Sequence, residues 1–96
     1  MAKGYVVACV TVLDPVAYAQ YSKASAEALK KHGGRALARG GQMVELEGTT
    51  RPRNVILEFD SLEAAKRYYT SAEYQAAKAK REGVAVADIF AVEGGE

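Results

Sequence analysis

The sequence has no tryptophan, one cysteine, one histidine and two prolines in 96 residues. A lone cysteine cannot close an internal disulfide, and it cannot anchor a cysteine-rich metal site. A lone histidine among scattered carboxylates is a poor ligand set, so no metal is expected. The charge is nearly balanced, 13 basic against 12 acidic residues. A net charge of +1 provides no field to recruit nucleic acid or an anionic membrane surface. The basic cluster Lys78-Ala79-Lys80-Arg81 lies among alanines and glutamates and reads as a solvated helix face. No apolar run approaches the ~20 residues of a membrane helix. No basic segment followed by an apolar stretch opens the chain, so no signal peptide is expected. These absences together predict a cytoplasmic protein.

What is present fits one small domain over residues 1–96, with a core of about 4–93. Hydrophobic residues make up 49% of the chain, which excludes bulk disorder. Residues 4–13, GYVVACVTVL, are β-branched and unbroken and predict a strand, with Cys9 packed in it as a small hydrophobe. Asp14-Pro15 then opens a helix, with aspartate as cap and proline at the first position. Its apolar stripe is Ala17, Tyr21, Ala24 and Ala28, and Gly33 stops it after His32. Residues 34–47 predict a second strand bent at Gly40-Gly41, and Asn54–Phe59 a third with Val55, Leu57 and Phe59 on one face. A second helix follows Asp60 or Ser61 and restarts near Thr70, where Thr70 and Glu73 match a capping box. Residues 86–92 form the last strand.

The order β-α-β-β-α-β is that of an α+β, ferredoxin-like βαββαβ sandwich: two helices on one face of an antiparallel sheet. In the first strand one parity holds Tyr5, Val7, Cys9, Thr11 and Leu13, and the other holds Val6, Ala8, Val10 and Val12. Both faces are therefore largely apolar. The helices cover one of them. The other needs a cover, and a second copy of the same sheet is the expected one, giving a homodimer by sheet-to-sheet packing.

Several stretches carry a family resemblance: DPVAYAQY, GGRALARGG, the EG that precedes RPRNVILEFDSLEAA, YYTSAEYQAAKAKR and the closing VEG. Over about Tyr5 to Gly94 the chain resembles the domain of unknown function 1330 family. The resemblance implies a ferredoxin-like protomer of the dimeric α+β barrel superfamily and no defined reaction. Two positions depart from the family's pattern. Thr50 and Tyr68 stand where tryptophan is expected, which removes any indole from a pocket wall there.

A phosphate cradle needs a glycine loop leading from a strand into a helix. Gly33-Gly34 instead leads from a helix into a strand, so no nucleotide and no other cofactor is expected. Arg35, Leu37 and Arg39 are expected on one strand face, with Arg39 either a rim charge or a grip for an anion. His32 either complements the dipole at a helix end or acts as a general acid or base. Glu58, inside an apolar strand, either faces solvent or is buried with a partner and serves as a base. Tyr21 and Tyr69 would pack on the sheet and wall a pocket. His32 and Glu58 are thus the catalytic candidates, and Arg39, Tyr21 and Tyr69 the substrate-binding ones, for a small anionic metabolite held between sheet and helices. The alternative is an interaction module with no small-molecule site.

Overall fold

A computed structural model describes residues 2–95. Its elements are β1 (Gly4–Val12), α1 (Pro15–Lys31), β2 (Arg35–Arg39), β3 (Arg53–Phe59), α2 (Leu62–Thr70), α3 (Ala72–Ala79) and β4 (Ala85–Glu93). The strands form one antiparallel sheet in the order β2-β3-β1-β4. This is the ferredoxin-like arrangement, with its second helix broken in two.

The helix boundaries follow from local hydrogen bonding. The Asp14 carboxylate accepts the Ala17 N–H at 3.1 Å, and Pro15 occupies a position whose amide would be unpaired anyway. His32 closes α1, and Gly33 turns the chain at φ 74°. Of the two caps expected for α2, Asp60 and Ser61, the second is used, and α3 is capped one residue beyond the expected Thr70. Ser61 caps α2 by accepting from the Ala64 N–H at 3.1 Å. Ser71 caps α3 by accepting from the Tyr74 N–H at 3.1 Å, and its own hydroxyl donates back to the Tyr68 carbonyl at 2.7 Å. The Thr70 hydroxyl donates to the Lys66 carbonyl within α2 and caps nothing.

One core lies between the helices and the inner face of the sheet. Val6, Val10, Leu57 and Phe59 from the sheet meet Tyr18, Tyr21, Ala28 and Leu29 of α1, Ala65 and Tyr68 of α2, and Tyr74 and Ala77 of α3. Burying each large side chain contributes roughly 1.5–3 kcal/mol. The expected α1 stripe caught Tyr21 and Ala28 but missed Tyr18 and Leu29, the other two residues that α1 buries. Among the described residues nothing covers the outer face. Val7 pairs across β1 with Ile56 and Phe90, and Phe90 and Val92 are 54% and 46% exposed. Cys9 belongs to this outer face, opposite Asn54 and Asp88, and is half-buried there rather than enclosed in the core.

Strand β2 departs most from expectation. It is five residues long, and the irregularity falls between Ala36 and Ala38, so the extra residue is Leu37. Arg35 lies opposite Glu58 on the outer face, while Arg39 lies opposite Val55 on the inner face. The three residues therefore do not share a face. Gly40, at φ 71°, ends the strand, and its amide donates to the Asn54 carbonyl at 2.9 Å. The second half of the expected strand, residues 42–47, finds no partner strand among the described residues and is exposed throughout.

Candidate functional site

Where α1, the inner sheet face and the α2–α3 pair meet, a cleft remains between them. Val10, Val55 and Leu57 form its floor, and Tyr18, Tyr21, Tyr68 and Tyr74 its walls. The rings stack in a chain: Tyr18 to Tyr21 at 5.2 Å, Tyr21 to Tyr74 at 6.2 Å, Tyr74 to Tyr68 at 5.0 Å and to Tyr69 at 5.1 Å between centroids. The break between α2 and α3 positions this chain, because capping at Ser71 restarts the helix and turns Tyr74 inward.

The Tyr21 and Tyr74 hydroxyls lie 2.8 Å apart and are buried. Burial, chiefly, raises both phenols above their ordinary range, and burial raises Tyr68 likewise. All three stay protonated at physiological pH and can act as donors.

Two arginines border this otherwise apolar space. Arg39 reaches it because the Leu37 bulge turns it inward, and its guanidinium donates to the Ser22 carbonyl at 3.1 Å. The Arg53 guanidinium stacks over the Tyr18 ring at 5.4 Å, and its Nε is buried with no hydrogen-bond partner among the described residues. Neither arginine forms a salt bridge within the described residues. The enclosed volume is about 40 Å³. A water needs roughly 10–15 Å³ on that measure, so the space suits a few waters or one small anion, far below the ~300 Å³ at which drug-sized sites begin.

The structure brings Arg39, Tyr21 and Tyr69 together at this cleft but not His32 or Glu58. Glu58 is on the opposite side of the sheet. There it pairs with Arg35 and accepts the Tyr5 hydroxyl at 3.2 Å. The bond from Arg35, chiefly, holds its carboxyl below the ordinary value. His32 stays at the end of α1, its Nε2 3.0 Å from Glu73, whose other oxygen accepts from Lys31 at 2.8 Å. Bonds from Lys31 and then His32 lower Glu73 to about 2. The Tyr21 hydroxyl is buried against that of Tyr74. The sequence reading missed Arg53, which the parity of Val55, Leu57 and Phe59 extended two residues back would have placed on the inner face. It also missed Tyr74 as the partner of Tyr21, a contact spanning 53 positions that leaves no local trace.

Among the described residues no three His, Cys, Asp or Glu side chains gather where a metal ion could be held, and no helix is long and apolar enough to cross a membrane.

No curated protein matches this sequence. Solved structures do match the fold. A protein of unknown function from Rhodopseudomonas palustris superposes with a TM-score of 0.77 at 16% identity, covering 99% of this chain and 84% of that one. A dimeric ferredoxin-like protein of unknown function from Bacteroides fragilis gives 0.65 at 16% identity, covering 95% of each. SnoaB, a cofactor-independent oxygenase from Streptomyces nogalater, gives 0.68 at 10% identity, covering 100% of this chain and 96% of that one. At such identities the likeness is one of fold alone. The sequence itself matches the model of the domain of unknown function DUF1330 over residues 3–95, and the chain belongs to that family.

Proposed function

We propose that this protein binds a small carboxylate in the tyrosine-walled cleft and works as a homodimer joined through the outer sheet face. The observation that carries the first part is the pair of arginines without carboxylate partners, Arg39 and Arg53, bordering an otherwise apolar space. The Arg53 guanidinium, with its Nε buried and unpaired, favours an anion, exposed Arg39 adds a second cation at the mouth, and a planar carboxylate matches a guanidinium's donor fork. The small volume favours a short-chain acid. The Tyr21–Tyr74 hydroxyl pair offers a neutral donor to a second oxygen on such a ligand. No carboxylate or histidine lines the cleft, so its geometry supports binding better than proton transfer. His32 and Glu58 have no route to act on a ligand held there.

The homodimer is supported by the apolar outer face, where Ile56, Val86, Phe90 and Val92 are all exposed, and by the dimeric state named for the Bacteroides fragilis neighbour. An obligate pairing would bury on the order of 2,000 Å².

The ligand test is a panel of carboxylates of two to four carbons, read by thermal shift, since binding to the native state raises Tm. Any hit is repeated on Arg39→Ala. Arg39 is exposed and unpaired with any carboxylate, so the fold should survive. Loss of a charge-assisted contact, about 1.5–3 kcal/mol, should weaken binding tenfold or more. Equal binding to the variant refutes the site. If no acid in the panel binds, the reading as an interaction module without a ligand prevails. A monomeric mass by light scattering at micromolar concentration refutes the dimer.

A further inference from the structure

Two hollows in the protomer share a wall. The first is the cleft of about 40 Å³ that the arginines border. The second is a groove of about 200 Å³ between α2 and β4, with Ala65 and Thr70 on one bank and Ala91 on the other. Val6, Tyr69 and Ile89 line both. An apolar cavity of roughly 150 Å³ is enough for a benzene ring. The groove can therefore take an apolar body that the cleft cannot.

The strand register sets the order of these features along the sheet. Arg53 stands opposite Val10, Ile89 opposite Ala8 and Ala91 opposite Val6. From the arginine to the groove is thus four residues of β1, roughly 13 Å. Val10, Ala8 and Val6 face the helices along the way. A charged end and an apolar end lie on one line, which is the layout of a carboxylate with a hydrocarbon tail.

Tyr69 interrupts that line. Its ring stacks on Tyr74 with centroids 5.1 Å apart and planes at 36°, and the Lys78 ammonium stands 5.7 Å from its centroid. The Gln75 side chain donates to the Tyr69 carbonyl at 2.7 Å, so α3 also holds the backbone from which the ring projects. The other two shared residues, Val6 and Ile89, are aliphatic and belong to the sheet. The ring is therefore the bulk of the partition, and it is fixed rather than loose.

We infer that Tyr69 sets the chain length of the ligand: with the ring in place the cleft accepts only a short acid, and with the ring removed cleft and groove become one channel for an acid with an apolar tail. This rests on the carboxylate reading above and adds its specificity.

The test titrates butyrate and octanoate into the full chain by calorimetry. Wild type should bind octanoate more weakly than butyrate. Tyr69→Ala should raise the octanoate-to-butyrate affinity ratio at least tenfold, since each methylene taken out of water tightens binding up to about fourfold. Tyr69→Phe keeps the ring and should keep the wild-type ratio, which separates the ring's bulk from its hydroxyl. Tyr69→Ala forfeits the stack on Tyr74, so its fold is checked by circular dichroism. If it is unfolded, Ile89→Ala, which thins the same partition from the sheet side, must raise the ratio instead. The partition is overturned, and the arginine cleft stands, if butyrate binds wild type and the ratio is unchanged in the folded variant. The same holds if wild type already favours octanoate, or if Tyr69→Phe shifts the ratio as far as Tyr69→Ala. If neither acid binds any of these proteins, the carboxylate reading falls and the partition falls with it.

Discussion

The hydroxyl pair of Tyr21 and Tyr74 offers a test of how the cleft is held together. Tyr21 is 8% exposed and Tyr74 2%, so neither phenol has ready access to water, and their oxygens are 2.8 Å apart. Changing either tyrosine to phenylalanine removes one oxygen and strands the other. The net hydrogen bond is lost, and the remaining hydroxyl bears the desolvation of an unpaired buried group, together about 1–3 kcal/mol. Changing both removes the orphan as well, leaving two rings still meeting edge to face at 82°. The double variant should therefore cost less than the sum of the singles, with a coupling of about 1–2 kcal/mol. Urea denaturation of wild type, Tyr21→Phe, Tyr74→Phe and the double variant measures it, at one fixed protein concentration because association would add to stability. For a chain of this size each kcal/mol also moves Tm by about 4–8 °C, giving a second reading. Additivity within about 0.5 kcal/mol would refute the reasoning, since independent sites add to that precision. It would mean that each hydroxyl finds another partner when alone.

Two further outcomes follow from contacts elsewhere. Glu73 is lowered from 4.5 to about 2 by Lys31 and His32, so its folded pKa lies below its unfolded one. Its contribution is complete above about 4.5 and is lost as pH falls toward 2; the decline of Tm over that window should be shallower in Glu73→Gln than in wild type, and equal slopes would count against the link between α1 and α3. At Gly4, where β1 abuts the start of α2, an added Cβ would stand 2.6 Å from the Leu62 Cα, which is backbone and cannot swing aside. Gly4→Ala should thus cost about 1–3 kcal/mol in urea denaturation, and an unchanged midpoint would show that α2 shifts freely.

The sequence made some of these elements plain and hid others for identifiable reasons. Strand β1 was legible because its two parities are set by side-chain character along nine regular residues. Its apolar outer parity also pointed to the uncovered face. The caps were legible only to within a residue because Asp60 and Ser61, and Thr70 and Ser71, are adjacent residues with similar capping chemistry, and the choice between them depends on where the helix is packed. Strand β2 misled because alternation assumes regular pairing, and one bulged residue reverses every assignment beyond it. Residues 42–47 looked like strand because Val44 and Leu46 alternate with Glu45 and Glu47, but among the described residues they have no partner to pair with. At the cleft, Tyr21 was legible from the helical spacing of α1, Arg39 reaches the inner face only through the bulge, and the Tyr21–Tyr74 contact depends on how α1 meets α3.

The extra residue at Leu37 works as a shift of reading frame within the shortest strand. Arg35 and Arg39 are four positions apart, a spacing that an even strand would display on the same side. Because one residue is counted out between them, Arg35 serves the outer face by neutralising Glu58, and Arg39 serves the cleft. Two copies of one side chain, on a strand of five residues, thereby answer to separate surfaces. Each guanidinium meets its own partner, Glu58 for Arg35 and the Ser22 carbonyl for Arg39, so an edge that looks redundant in sequence faces two ways.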